Sequence, residues 1–121
     1  MFRRFGAYYR HYIDDLFFIW YGTPEDLLQF TNDLNSTLSP VRLTLNFDQT
    51  SIHYLDVTVY KDVMNNKLQT RIYRKLTDMN TLLHYKSSHP RHLLHSLPRS
   101  QLLRVARITS DTEERQKTCS I

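Results

Sequence analysis

Two adjacent aspartates, Asp14 and Asp15, interrupt a run of aromatic and aliphatic residues. Tyr8, Tyr9 and Tyr12 precede them, and Leu16-Phe17-Phe18-Ile19-Trp20-Tyr21 comes after. An acidic dipeptide between two apolar strands describes a tight hairpin with carboxylates at its tip. An unpaired carboxylate is costly to bury, so the pair must meet water, a cation or a hydrogen-bond network. On the residues alone two readings stay open. One is a divalent-metal site; the other is a structural turn in which Asp bonds nearby backbone groups.

Other chemistry-bearing residues are weaker candidates. His84, His89, His92 and His95 include pairs three apart, as helical zinc ligands can be, but no Cys or carboxylate cluster completes a tetrahedral set. Loop hydrogen bonds and occasional phosphate contacts suit them better. Asp56, among Leu55, Val57 and Val59, reads as a structural hydrogen-bonding group. Cys119 is the single cysteine, so no internal disulfide can form, and it has no fixed partner that would make it a nucleophile. Phe17 and Trp20 read as core.

The elements that must position these residues can be read from periodicity. Residues 7–13 and 16–21 read as the two strands of the acidic hairpin. Thr23 can cap a helix that starts at Pro24, with Glu25 and Asp26 at the positive end of its dipole. Leu27, Phe30, Leu34 and Leu38 form its apolar stripe, and Ser39-Pro40 ends it. Val41 to Phe47 alternates as a strand. Residues 52–60 and 68–73 read as two strands of a second hairpin with a polar turn at 62–66 and a basic exit at Arg71, Arg74 and Lys75. A turn or helix start is expected over 77–81. Residues 87–92 read as a loop leading into a short helix, and a further helix runs over 99–109. The last ten residues are polar and are expected to fray.

The expected class is therefore α+β, in a chain of 121 residues whose 40% hydrophobic content allows a modest core. Only 2 glycines argue against a phosphate-cradling glycine loop. No apolar run reaches the roughly 20 residues of a membrane helix. The basic start lacks the apolar region and cleavage site of a secretory signal, so an intracellular setting, nuclear or cytoplasmic, is expected. The net charge of +4 is unevenly spread. Residues 1–60 carry 4 Lys/Arg against 7 Asp/Glu, and residues 61–121 carry 12 against 5. Such asymmetry suits a basic face that meets a polyanion.

Several strings, taken in order, resemble reverse transcriptases, in particular the Penelope-like branch. Arg10-His11-Tyr12-Ile13-Asp14-Asp15-Leu16-Phe17-Phe18-Ile19-Trp20 is similar to the catalytic hairpin, and Tyr54-Leu55-Asp56-Val57-Thr58-Val59-Tyr60 to the strand opening a primer-grip hairpin. Tyr73-Arg74-Lys75-Leu76-Thr77-Asp78, Leu83-His84-Tyr85, Ser88-His89-Pro90 and Arg104-Val105-Ala106-Arg107-Ile108 resemble the segment after that hairpin. The resemblance covers about residues 8–111. It implies a partial polymerase palm over 1–75, a helical thumb-like segment over 76–111 and a disordered tail over 112–121. It implies an RNA-directed DNA polymerase using two-metal nucleotidyl transfer on an RNA/DNA template-primer. Asp14 and Asp15 would be the catalytic carboxylates and would hold Mg2+. Tyr12, Arg71, Arg74, Lys75, Arg99, Arg104 and Arg107 would contact nucleic acid. The chain departs from the family pattern at Leu76, Leu94 and Thr109. Only seven residues precede Tyr8, so a further palm aspartate and the fingers are missing and no polymerase activity is expected of the chain alone. The alternative expectation is a non-catalytic basic nucleic-acid-binding module, or the inert relic of a mobile element.

Overall fold

The computed structural model describes residues 2–77, 84 and 86–119, with only the backbone of Phe2. The turn or helix start expected over 77–81 lies, beyond Thr77, outside the described residues. So do Leu83 and Tyr85. The class is α+β with two antiparallel sheets, as expected, and nothing in it is particular to a polymerase palm. Two compact units divide at Asp48/Gln49. The second hairpin lies in the same unit as the C-terminal helices.

In the first unit, a short helix α1 (Phe2–Phe5) leads into β1 (Gly6–Tyr12), which pairs with β2 (Asp15–Trp20). The register puts Tyr12 opposite Asp15 and Ala7 opposite Ile19, and it shifts between Ala7 and Arg10. Two residues, Tyr8 and Tyr9, thus face Phe18 alone, and Tyr8 takes a φ of 52° at this bulge. Helix α2 (Pro24–Thr37) begins as its sequence dictates. The Thr23 side chain accepts from the Asp26 amide at 3.2 Å and donates to the Asp26 carboxylate at 3.0 Å. Pro24 occupies the first turn, where no N–H is needed. Phe30 stacks on Trp20 at 5.3 Å and meets Phe18 edge-on at 6.2 Å, which seats the apolar stripe of α2 on β2. Leu27 is buried, and Phe17 and Ile19 are half-buried. A sheet lacking a partner strand would be expected to expose an apolar face at these three residues. Instead Leu27 is buried, Phe17 meets the Tyr8 ring edge-on at 6.3 Å, and Ile19 is half-buried.

Gly22 sits where a Cβ would come within 2.7 Å of the Trp20 indole nitrogen and 3.1 Å of the Phe5 ring. Only glycine lets the chain turn this tightly over that pair. The strand expected over Val41–Phe47 does not form. Its alternation is genuine, but among the described residues no strand pairs with it. The side chain of Asn35 does so instead: its carbonyl oxygen accepts from the Leu43 amide at 2.6 Å and its amide donates to the Leu43 carbonyl at 3.0 Å.

The second unit holds a three-stranded meander, β3 (Ser51–Tyr54), β4 (Val57–Asp62) and β5 (Lys67–Ile72), in the order β3-β4-β5. The single strand expected over 52–60 is in fact two, folded back at Leu55-Asp56, with Tyr54 opposite Val57. Leu55 adopts a φ of 54° there. Neither residue is the glycine or asparagine that ordinarily announces such a turn, so β-propensity concealed it.

Helix α3 (Arg91–Ile108) is also longer than expected: the loop, short helix and second helix are one element running through Pro98. Proline offers no N–H to the carbonyl four residues back, which makes it a natural break in sequence. The apolar stripe overrides it. Leu94, Leu97, Gln101, Val105 and Ile108 recur at helical spacing on one face, and all are half-buried or buried. Finally, residues Thr112–Cys119, expected to fray, form helix α4. Its start is organised by the Asp111 carboxylate, which accepts from the Glu113 amide at 2.8 Å. Glu113 and Glu114 in the first turn and Lys117 in the last complement its dipole.

Candidate functional site

The structure offers two places for function, one in each unit. In the first, Ile13 and Asp14 make the two-residue tip between Tyr12 and Asp15. Ile13 is held at a φ of 50°, rare for a β-branched residue. Tyr12, Asp14 and Asp15 are all exposed. Among the described residues no three His, Cys, Asp or Glu side chains gather in one place.

The second place is the junction of α3, α4 and β5. The connection Thr109-Ser110-Asp111 is clamped to the outer edge of β5. Ser110 donates its backbone N–H to the Thr70 carbonyl at 2.9 Å, and its hydroxyl accepts from the Thr70 amide at 2.8 Å. Thr70 donates its own hydroxyl to the Ile108 carbonyl at 2.6 Å, and the Ser110 hydroxyl lies 3.1 Å from the Gln69 side-chain oxygen. Gln69, almost buried, passes the chain of bonds on to the Asp62 carboxylate at 2.6 Å. The hydrogen bonds from Asn65 and Gln69 hold the Asp62 carboxyl below its ordinary range. Arg115 of α4 reaches back to donate to the Thr109 carbonyl at 2.8 Å. Partial burial, with the negative charges of Asp111 and Glu114 nearby, pushes the Tyr60 phenol above its ordinary value. These bonds fix the angle between the two helices and fix both to the sheet.

The basic residues expected to contact nucleic acid are distributed over this unit. Arg104 forms an ion pair with Asp56 at 2.7 Å, so its charge is already engaged. The Arg71 guanidinium lies over the Tyr60 ring at 5.1 Å. Arg74, Lys75, Arg99 and Arg107 are exposed. His53 of β3 and Tyr73, one residue past β5, stack their rings at 3.9 Å, and His53 Nδ1 lies 2.8 Å from the Thr58 hydroxyl. Of the histidines weighed as zinc ligands, His84 accepts from the Lys86 amide at 3.2 Å and His89 lies 3.2 Å from the Ser87 hydroxyl. Both are local loop bonds. The clamp residues Ser110, Thr70 and Gln69 carried no sequence signal: three uncharged polar residues become a unit only when β5 and the α3–α4 connection meet.

Residues 81–121 match an animal helix-turn-helix domain. The described part of that stretch includes α3, the three-residue connection and α4. No reverse transcriptase family matches, and this overturns the resemblance to reverse transcriptases. The strings that carried it have local explanations. Tyr-x-Asp-Asp is an acidic hairpin tip, Leu55-Asp56 is another two-residue turn, and the Arg104–Ile108 string is the packed and solvent faces of one helix. Much of the segment given as a thumb falls inside the helix-turn-helix match. No curated protein and no solved structure matches the chain. Among the described residues no helix is long and apolar enough to cross a membrane.

Proposed function

We propose that the chain is a non-catalytic nucleic-acid-binding module whose basic C-terminal unit holds the polyanion. The observation that carries this is α3, the first described helix of the stretch similar to a helix-turn-helix domain: it contains four arginines and no Asp or Glu. Around it, residues 49–121 carry 12 Lys/Arg against 6 Asp/Glu. Helix-turn-helix segments place helices against duplex grooves and backbones. Arg71, Arg74, Lys75, Arg99 and Arg107 supply five cations for phosphate contacts, which are blind to sequence and sensitive to salt.

Five such contacts give a slope of log K against log salt of about −4.5, or a loss of roughly 500-fold in affinity between about 50 and 200 mM salt. Fluorescence anisotropy of the purified chain with short labelled duplexes and single strands measures it. A steep slope that flattens when Arg71, Arg74 and Lys75 are replaced together by alanine is the expected result. Affinity that is unchanged across this range of salt, or no binding at low salt, refutes the proposal.

A further inference from the structure

In most helix-turn-helix proteins the second helix enters the major groove and the first crosses the backbone. The charges here oppose that arrangement. The start of α4, which would face the bases, carries Glu113 and Glu114 shortly after Asp111. Of its two basic residues, one is drawn inward and the other lies beside a carboxylate. Arg115 is drawn in to the Thr109 carbonyl, with its Nε buried, and the Lys117 ammonium lies 3.8 Å from Glu114. A helix with carboxylates at its leading end is repelled there by phosphates on both walls of a groove.

Helix α3 has the opposite character. Its packed face, through Leu97, Val105 and Ile108, is turned to the body of the unit. About half a turn around lie His92, Ser96, Arg99, Leu103 and Arg107, spaced by three or four residues and all exposed. With 18 residues α3 is roughly 27 Å long, and a helix of about 10–12 Å diameter fits the major groove of B-form DNA. The mixture on that face is what a groove offers partners for: Arg for guanine edges, Ser for either base and an apolar side chain for the thymine methyl.

We infer that α3, and not α4, lies in the major groove of duplex DNA with Arg99 and Arg107 on its groove-facing side, and that α4 is the buttress that fixes its angle. This rests on the nucleic-acid reading above and deepens it. The clamp on β5 holds the end of α3 through the Ile108 carbonyl and the start of the connection to α4 through Ser110, so the angle between the two helices is set at the sheet edge. RNA duplexes are poorer partners, because the A-form major groove is too narrow for a helix.

The test compares two sets of substitutions in the full chain, with random-sequence DNA duplexes of about two turns as the probe and circular dichroism confirming the fold. Arg99→Ala with Arg107→Ala is expected to weaken binding about tenfold or more and to reduce the salt slope by about 2. Glu113→Gln with Glu114→Gln is expected to leave affinity equal or improve it, and Thr112→Ala with Lys117→Ala to change it by less than about threefold. Methyl green, a major-groove ligand, is expected to displace the wild-type chain, and netropsin, which fills the minor groove, is not. Should the α4 substitutions abolish binding while the α3 pair is neutral, the assignment of α3 to the groove is wrong although the chain binds DNA. Displacement by netropsin alone, or tighter binding to RNA duplex than to DNA, also overturns it. A wild-type chain that binds no nucleic acid refutes the underlying reading and this one with it.

Discussion

Replacing Ser110 by alanine tests how the α3–α4 connection is held. The hydroxyl accepts from the Thr70 amide at 2.8 Å and lies within donating distance of the Gln69 oxygen at 3.1 Å. Alanine leaves the Ser110 amide bond to the Thr70 carbonyl in place but removes both of these. A typical hydrogen bond contributes about 1 kcal/mol net, and an acceptor left unsatisfied in a buried position costs about 1–3 kcal/mol. Gln69 is 8% exposed, so its oxygen falls near the upper figure, whereas the Thr70 amide lies near solvent and can recruit water. The sum is about 2–3 kcal/mol. A unit of this size has a total stability of roughly 4–11 kcal/mol, so the loss is a substantial fraction of it. In urea, with a slope of about 1 kcal/mol/M, the midpoint is expected to fall by about 2 M. Hydrogen exchange at the Thr70 amide is expected to accelerate by at least about tenfold, and Ser110→Thr, which keeps the hydroxyl, to recover much of both. A midpoint shift below about 0.5 M with unchanged Thr70 exchange would show that the clamp contributes nothing and that the helices are held elsewhere.

Other contacts carry their own expected outcomes. Asn35→Ala removes the two-armed bond to Leu43 and is expected to cost about 1–3 kcal/mol, read as a lower urea midpoint and as faster exchange of the Leu43 amide. Asp56→Asn breaks the Arg104 pair, whose side chains are 42% and 64% exposed, so stability is expected to change by less than about 1 kcal/mol; salt-sensitive nucleic-acid affinity should rise as Arg104 is released. The Asp62 carboxyl, held low by Asn65 and Gln69, contributes stability that is present above about pH 4 and is lost as pH falls through its lowered value; Asp62→Asn should flatten that acid limb in urea titrations. Tyr60 acts at the other end, raised by burial first and then by Asp111. Stability linked to its neutral form is present below about pH 10 and is lost as pH rises through the raised value, and Tyr60→Phe should remove that loss.

Local chemistry was legible wherever one residue type makes one structure. Thr23-Pro24 begins a helix because a hydroxyl satisfies an orphan amide and proline lacks one to orphan, and the structure shows both. The acidic hairpin was legible from two apolar runs around Asp14 and Asp15. Leu55-Asp56 was not, because a leucine at positive φ is a turn that only the surrounding sheet enforces. The helical tail at 112–119 was missed because its polarity hides the capping bond from Asp111.

The sequence by itself determined the α+β class, the charge asymmetry and the start of α2, since these depend on composition and on interactions a few residues long. Tertiary structure decided the rest: that α3 continues through Pro98, that Asn35 substitutes for a strand, and that Ser110 joins a turn to β5 forty residues away in the chain. These are bonds between distant backbone groups, and no periodicity announces them. That is also why ordered short strings suggested one family while residues 81–121 match another.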